Sequence, residues 1–251
     1  MSSEAASSRY EEYGANGYLS KLLSRTGVAK GTLTFRFERP HNFKFRAGQS
    51  IDLTLLGRGT DGLTHTFSIA SDPSAEEIMV ATRMRDTVFK RTLSLLPIGT
   101  DVRMAGPTGS FTIHNNTARP AVLLAGGIGI APFLSMVSHA TLKGLRHPII
   151  LFYANRQLED AAFLDELWRL ERDNPRFRFV PTFTRMDGAL RKWKCETGYI
   201  TQEMLHKHVG VMRGAIFYIA GPPQMVAAVR RTLTEAGPDE DDIRTEEFAG
   251  Y

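Results

Sequence analysis

The first half of the chain alternates apolar and polar residues with the two-residue period of half-buried β-strands. The alternation is clearest at Leu33, Phe35 and Phe37, whose neighbours Thr34, Arg36 and Glu38 face the other way. It recurs in five further short segments, which are residues 51–55, 65–71, 78–84, 102–104 and 111–113. Glycine- and proline-containing turns separate these segments. The pattern predicts a six-stranded antiparallel β-barrel, interrupted by one short helix at about residues 88–95.

The second half has a different period, because short continuous apolar runs alternate with segments of helical spacing. The runs AVLLA, IILFY and AIFYIAG are typical of strands that are buried on both faces. Alternating strands and helices predict a parallel sheet covered by helices. We therefore predict a two-domain α+β fold, with a barrel in residues 1–117 and an α/β domain in residues 118–251. Residues 1–17 are predicted to form a flexible or peripheral N-terminal segment.

Composition narrows the possible functions. The net charge of +4 is too small to indicate nucleic-acid binding. Cys195 is the one cysteine, so this sequence by itself cannot build an iron–sulfur cluster or a cysteine-ligated metal site, and no metal is expected. No apolar run approaches the roughly 20 residues of a membrane span. The N-terminal segment has no apolar core, so a cytoplasmic location is expected.

A glycine-rich segment, GGIGIAP at residues 126–132, follows the first buried strand and precedes a helix. Glycines allow the backbone to approach a ligand closely, and the N-terminus of the following helix favours a phosphate group. The segment is neither a GxGxxG fingerprint nor a Walker loop. A pyrophosphate-binding turn is favoured over a tight turn without a ligand. The sequence IAGPP, at residues 219–223, predicts a second glycine turn on the same edge of the sheet.

The order of several motifs resembles the ferredoxin–NADP(H) reductase superfamily, and in particular its small bacterial FAD-binding oxidoreductases. The motifs are HTFS, VFKRTL, MAGPTGSF, LLAGGIGIAPFLSM, FYANRQLEDAAFLDEL, YIAGPPQMV and the C-terminal EEFAGY. The resemblance extends from about Gly31 to the last residue. It implies a flavin-binding barrel followed by a nicotinamide-nucleotide domain, in agreement with the periodicity.

The resemblance implies an FAD site with two parts. His65, Thr66, Phe67 and Ser68 match the strand that packs against the flavin, with His65 in the place of the family's phosphate-binding arginine. Neutral histidine supplies less positive charge than arginine. The second part is expected at a short helix that holds the flavin phosphates, and its residues are Arg83, Thr87, Val88, Phe89 and Lys90.

The resemblance also implies a nicotinamide-nucleotide site on the α/β domain. The two glycine turns supply Gly126, Gly127, Gly129, Ala131, Pro132, Gly221, Pro222 and Met225. Basic residues after the second and third strands would hold a 2′-phosphate, because the guanidinium group binds two oxygens at once. Arg156, Thr184 and above all Arg185 match these positions, with Lys192 and Lys194 near them, so NADP(H) is favoured over NAD(H).

The C-terminal tail is expected to reach the flavin. Phe248 and Tyr251 are the candidates for an aromatic ring that shields the flavin or nicotinamide site, and Glu247 for a carboxylate in the polar network of Ser68. Ser68, Glu247 and Phe248 are therefore the predicted catalytic residues. The alternative for the tail is a frayed end without a role.

The function implied is an FAD-dependent NAD(P)H oxidoreductase, in which hydride passes from nicotinamide to flavin and electrons pass on to a separate acceptor. Ferredoxin, flavodoxin or a small molecule is the expected acceptor. One alternative is a flavin-binding electron-transfer or regulatory subunit without nucleotide turnover of its own. Another is a dinucleotide-binding dehydrogenase without flavin, against which the barrel and HTFS argue.

Overall fold

The structure, a computed structural model, describes residues 17–57, 63–185 and 195–248. In its first half, six antiparallel strands are arranged in the order β4-β3-β6-β1-β2-β5. Their bounds are β1 Gly17–Ala29, β2 Thr32–Glu38, β3 Ser50–Leu55, β4 Thr64–Ser68, β5 Glu77–Arg83 and β6 Asp101–Thr108. An antiparallel bridge between Ile69 and Val80 joins the two outer strands and closes the sheet into a barrel.

The barrel interior is filled by the apolar members of the alternating pattern. Phe35, Phe37, Ile51 and Leu53 are completely buried in one core cluster. Helix α1 (Val88–Leu95) closes one end, with Phe89 and Leu93 packed into that core. Burial of such side chains contributes roughly 1.5–3 kcal/mol each to the free energy of folding. The period-two pattern therefore identifies the residues that stabilise the barrel.

The second half is a six-stranded parallel sheet in the order β10-β9-β8-β7-β11-β12. Its strands are β7 Ala121–Gly126, β8 Ile149–Asn155, β9 Phe177–Phe183, β10 Glu196–Thr197, β11 Ile216–Gly221 and β12 Ile243–Glu247. The helices are α2 Ile130–Leu142, α3 Leu164–Asp173, α4 Gln202–Val209 and α5 Pro223–Ala236. Two separate apolar clusters pack on the two faces of the sheet, so β7 and β11 are buried throughout. The predicted fold class is confirmed.

Polar contacts join the barrel to the α/β half through helix α2. The Ser135 hydroxyl donates to the carbonyl of Ser71 at 2.6 Å. One helical turn further on, His139 Nδ1 lies 2.9 Å from the Asp72 carboxylate. Apolar contacts accompany them, since Ala70 and Met79 of the barrel belong to the same core cluster as α2. These contacts fix the barrel against the carboxyl ends of the parallel strands.

One predicted strand does not form, and two observed strands were not predicted. Residues 111–113 do not form a strand; Phe111 instead packs between the two halves, against Phe133 and Tyr218. The sixth barrel strand is β1, in which Ser20 and Leu22 are the buried residues, so it shows no apolar period. Strand β12 was also missed, because its sequence IRTEE is polar and lies at the edge of the sheet.

Among the described residues, no helix is both long enough and apolar enough to cross a membrane.

Candidate active site

The predicted flavin strand and the first glycine turn line one common cleft at the seam between the two halves. Ser68 and its neighbours come from β4, Ile128 and Ala131 from the glycine turn and α2, and Phe248 from the C-terminal segment. Of the predicted residues, those that line the cleft are His65, Thr66, Phe67, Ser68, Arg83, Lys90, Ala131 and Phe248. Ala81, Thr82 and Ile128 line it as well and were missed.

Three rings at the end of β4 form an aromatic stack. The imidazole of His65 lies nearly parallel to the ring of Phe67, with 4.6 Å between centroids. Phe89 of α1 contacts both rings, at 5.4 and 5.8 Å. His65 Nδ1 lies 2.8 Å from the carbonyl of Thr66. The rings of His65 and Phe67 line the cleft, and aromatic side chains suit contact with a planar ring system.

An acidic residue that the sequence analysis missed lies beside this strand. The Thr66 hydroxyl donates to the Asp52 carboxylate at 2.5 Å, across the β3–β4 pair. His65, which stands where the resemblance implies an arginine, is thus followed by Thr66, whose hydroxyl is bonded to the Asp52 carboxylate. This end of the strand contributes little positive charge.

Ser68 faces a carboxylate on the edge strand of the parallel sheet. The Ser68 hydroxyl lies 3.4 Å from Glu246 Oε2. Burial raises the pKa of Glu246 to about 7, an effect that the Ser68 hydrogen bond only partly offsets. Near neutral pH this carboxyl group is therefore divided between its acid and carboxylate forms, which suits a group that supplies or accepts a proton.

The sequence predicted Glu247 as the carboxylate beside Ser68, but the residue at this position is its neighbour Glu246. Strand β12 pairs with β11 so that Ala220 stands opposite Glu246 and Gly221 opposite Glu247. Side chains alternate along a strand, so the two glutamates point to opposite sides. Glu247 is exposed, whereas Glu246 turns toward Ser68.

The cations at the predicted phosphate helix are engaged with protein groups. Lys90 is buried, its ammonium group donates to the carbonyl of Arg83 at 2.9 Å, and burial lowers its pKa. Arg83 forms an ion pair with Asp160 at 3.2 Å. Thr87 is the N-cap of α1 and accepts from the Lys90 amide, while Val88 is exposed. A phosphate group at the start of α1 would therefore be attracted mainly by the helix dipole, because the nearby cations are already engaged.

The two glycine turns are in contact beyond the carboxyl ends of strands β7 and β11. A Cβ on Gly129 would lie 2.2 Å from the carbonyl oxygen of Ala220, and one on Gly221 would lie 3.2 Å from Gly126. Gly127 has φ of +50°, the left-handed region that favours glycine. No side chain of the described residues caps the start of α2. Pro132 is buried in the first turn of α2, and Pro222 and Met225 contact Gly126.

The residues predicted to bind the 2′-phosphate lie together beyond the carboxyl ends of β8 and β9; they are Arg156, Thr184 and Arg185. The Arg185 amide donates to the carbonyl of Arg156 at 2.8 Å, and the Thr184 amide donates to Asn155 at 3.1 Å. These bonds hold the chain after β9 against the chain after β8. Both arginines are exposed. Lys192 and Lys194 lie outside the described residues.

The C-terminal segment closes the cleft from the side of the α/β half. The Phe248 amide donates to the carbonyl of Gly221 at 3.0 Å, so the ring is attached to the second glycine turn. Phe248 also packs against the core on the α2 side of the sheet. Tyr251 lies outside the described residues.

The residues that line the cleft fit the ring of a flavin better than its phosphates. The rings of His65 and Phe67, the Ser68 hydroxyl and a carboxyl group of raised pKa suit an isoalloxazine ring. The cavity within the cleft measures about 40 Å³, so a bound ring would lie mainly in the open part of the cleft, beside Phe248. The cations Arg83 and Lys90 are already engaged, so the phosphate end is the weaker half of the site.

Comparison with known proteins agrees with this geometry. Residues 123–231 match the family model of the oxidoreductase NAD-binding domain. The whole described fold is similar to a ferredoxin NADP⁺ reductase from Neisseria gonorrhoeae with bound FAD and NADP, with a TM-score of 0.79 and 23% identity over 93% of this chain and 99% of that one. The FAD/NAD-binding domain of a nitric oxide dioxygenase from Vibrio cholerae is similar too, with a TM-score of 0.81 and 17% identity, over 93% of this chain and 99% of that one.

Several curated relatives are reductase components of oxygenases. The phenol 2-monooxygenase reductase component of Pseudomonas sp. strain CF600 is 29% identical over 95% of this chain and 66% of its own length. The propane 2-monooxygenase reductase component of Mycolicibacterium goodii is 27% identical over 83% of this chain and 60% of its own length. The chain thus spans about 60% of the length of such a relative. The predicted resemblance is confirmed at the level of the fold: the described residues have the fold of that ferredoxin NADP⁺ reductase, and residues 123–231 match the model of the oxidoreductase NAD-binding domain.

Proposed function

We propose that the protein is an FAD-dependent NAD(P)H oxidoreductase that passes electrons to an acceptor outside this sequence. The observation on which the proposal rests is the shared cleft, in which Ser68 of the barrel and Ile128 of the glycine turn face each other. A flavin on the first and a nicotinamide on the second would be in contact. The fold similarity and the reductase components among the relatives support the same activity.

Bound FAD would supply the hydride-accepting ring and the ability to release electrons singly. The protein's own residues position and polarise that ring. The rings of His65 and Phe67 would orient it, and the Ser68 hydroxyl would offer a hydrogen bond at its edge. Glu246, with a pKa of about 7, holds a proton next to Ser68. Phe248 keeps water away from the ring face until a nicotinamide replaces it.

Turnover tests this proposal directly. The purified chain, supplied with FAD and either NADPH or NADH, is expected to reduce ferricyanide at a rate that saturates with both cofactors. Ser68→Ala is expected to lower kcat at least tenfold while the Kd for FAD changes little, because the hydroxyl acts on the reacting ring. Failure to bind FAD, or equal rates in Ser68→Ala and the unchanged protein, would contradict the proposal.

NADP(H) is the nucleotide that we propose in preference to NAD(H). Arg185 supports this choice, because it is exposed directly after β9 at the edge where nucleotides bind in parallel sheets. The Arg185 amide donates to the carbonyl of Arg156, so a second exposed arginine lies beside it in the fold. A 2′-phosphate is the part of NADP that such a pair distinguishes.

Replacing Arg185 by alanine tests this choice. The KM for NADPH is expected to rise by about tenfold, since a charge-assisted hydrogen bond contributes about 1.5–3 kcal/mol, while the KM for NADH stays the same. Arg172→Ala is the matched control, because Arg172 is an exposed arginine in the last turn of α3, at the opposite edge of the sheet. Equal changes for both nucleotides would mean that Arg185 does not hold the 2′-phosphate.

The acceptor that we propose is a separate ferredoxin or flavodoxin. Cys195 is the one cysteine of this sequence, so a cluster that receives electrons must be held elsewhere. The modest positive charge of +4 suits an acidic protein partner. The cytoplasmic location stays a prediction from the sequence.

A further inference from the structure

A second set of contacts joins the two halves of the molecule, and it includes one residue of the active-site cleft. In the turn between β1 and β2, the Lys30 amide donates to the carbonyl of Glu159 at 2.8 Å, and the Lys30 ammonium group lies 2.5 Å from the Glu159 carboxylate. The guanidinium group of Arg83, at the end of β5, forms its ion pair with Asp160. Glu159 and Asp160 share one short 3-10 turn, Leu158–Asp160, between β8 and α3. Two adjacent carboxylates of the α/β half therefore hold two cations of the barrel.

The two ion pairs differ in how far water reaches them. The side chains of Lys30 and Glu159 are 67% and 53% exposed, so their attraction is strongly screened. Those of Arg83 and Asp160 are only 30% and 11% exposed. Charges that are withdrawn from water are screened less, so the Asp160 carboxylate acts more strongly on Arg83 than Glu159 acts on Lys30.

Arg83 is the permanent cation that a negatively charged ligand would meet on the wall of the cleft. The other amino or guanidinium group there belongs to Lys90, which is buried and already bonded to the carbonyl of Arg83. Asp160 bonds to Nη2 of Arg83 without lining the cleft itself, and no aspartate or glutamate is among the described residues that line it. The positive charge of the wall is therefore compensated by a carboxylate that a ligand in the cleft does not touch.

Such a carboxylate affects only the charged part of a flavin. FAD carries a negatively charged pyrophosphate, whereas riboflavin has the same ring and no phosphate. We propose that Asp160 is a specificity-determining residue that acts through Arg83: its carboxylate compensates the guanidinium charge, and so lowers the affinity of the cleft for the phosphates of FAD without changing its affinity for the ring. The protein should therefore favour FAD over riboflavin less than an uncompensated Arg83 would allow.

This inference rests on the proposed function, because it takes FAD as the ligand of the cleft. It goes further in assigning the choice between flavins to a residue of the α/β half that does not line the cleft. The test below measures binding rather than turnover. If the unchanged protein binds neither flavin, the proposed function fails together with this inference. If it binds FAD and Asp160 has no influence on the affinity, this inference fails by itself.

Replacing Asp160 by asparagine tests the proposal, with the Kd for FAD and for riboflavin measured by quenching of flavin fluorescence. The amide oxygen of asparagine can still accept the hydrogen bond from Arg83, so Asp160→Asn removes the charge and keeps the contact. The Kd for FAD is expected to fall by about tenfold, because Arg83 then offers an uncompensated charge to the phosphates. The Kd for riboflavin should stay the same. A purely structural role of Asp160 would change both constants alike.

Glu159→Gln is the matched control, because it removes a carboxylate from the same turn, and the partner of Glu159, Lys30, does not line the cleft. It should bind both flavins as the unchanged protein does.

The double variant Arg83→Gln/Asp160→Asn removes both charges of the pair. Its Kd for FAD should equal that of the unchanged protein, because the intact pair contributes no net charge. Thermal unfolding establishes that each variant is folded, and the double variant serves if Asp160→Asn is not. An unchanged or higher Kd for FAD in Asp160→Asn, or an equal fall for riboflavin, would overturn the proposal. A tenfold higher Kd for FAD in the double variant would overturn it too, since Arg83 would then hold the phosphates in spite of Asp160.

Discussion

At the residue scale, the raised pKa of Glu246 is the most informative property of the active-site cleft. Burial disfavours the charged carboxylate, and Ser68 alone does not compensate for it. The glutamate beside Ser68 could not be assigned from the sequence, because Glu246 and Glu247 are adjacent and their side chains point in opposite directions along a strand. Only the pairing of β12 with β11, which aligns Glu246 with Ala220, decides between them.

Glu246 should make stability depend on pH. Its pKa of about 7 lies above the 4.5 of an unperturbed glutamate, so the folded state holds the proton more tightly than the unfolded state. The stabilisation is complete below pH 4.5 and is lost as the pH rises through 7. Glu246→Gln avoids the buried charge, so relative to the unchanged protein its free energy of unfolding should increase by roughly 3 kcal/mol between pH 4.5 and pH 8.

Urea unfolding at both pH values measures this difference. Glu247→Gln is the control, since that side chain is exposed and should show no such change. A Glu246→Gln variant with the same pH dependence as the unchanged protein would show that Glu246 ionises normally.

His65 makes a second residue-scale prediction. It stands where the resemblance implies an arginine, and the nearby cations Arg83 and Lys90 are engaged with Asp160 and a carbonyl. His65→Arg would add a permanent charge that can still stack on Phe67. We expect the Kd for FAD, measured by quenching of flavin fluorescence, to fall by about tenfold. His41→Arg, at an exposed position, is the control; an unchanged Kd in His65→Arg would place the phosphates elsewhere.

At the element scale, the elements predicted correctly from the sequence are those whose buried residues recur at a regular spacing or form a continuous run. Helix α1 occupies residues 88–95 as expected, and β7, β8 and β11 coincide with the three continuous apolar runs. The elements that were missed bury few side chains. In β1 the completely or almost completely buried residues are Ser20 and Leu22, and β12 is a polar edge strand. Their strand character comes from hydrogen bonds to neighbours, which a local pattern does not contain.

The contact between the two glycine turns makes a prediction at this scale. Gly129→Ala places a Cβ 2.2 Å from the backbone carbonyl of Ala220, so β11 or α2 must shift. We expect a loss of about 1–3 kcal/mol in the free energy of unfolding and weaker nucleotide binding. Gly27→Ala is the matched control, because a Cβ there meets nothing within 4 Å. Equal stability of the two variants would contradict the close approach.

At the scale of the whole molecule, the cleft exists because two differently built halves meet along α2. Ser135 and His139 bind the turn after β4, which places Ser68 opposite the glycine turn. The sequence predicted both halves and most of the residues that line the cleft, but not Ala81, Thr82, Ile128 or Glu246. It did not predict Phe111, which packs against Phe133 and Tyr218, because these three rings come together only in three dimensions.

The meeting of flavin and nicotinamide in one cleft is the central claim, and anaerobic titration of the FAD-loaded protein tests it most directly. Addition of one equivalent of NADPH is expected to bleach the flavin absorbance fully, without any acceptor present. A flavin that stays oxidised with both NADPH and NADH, although each is bound, would contradict the account.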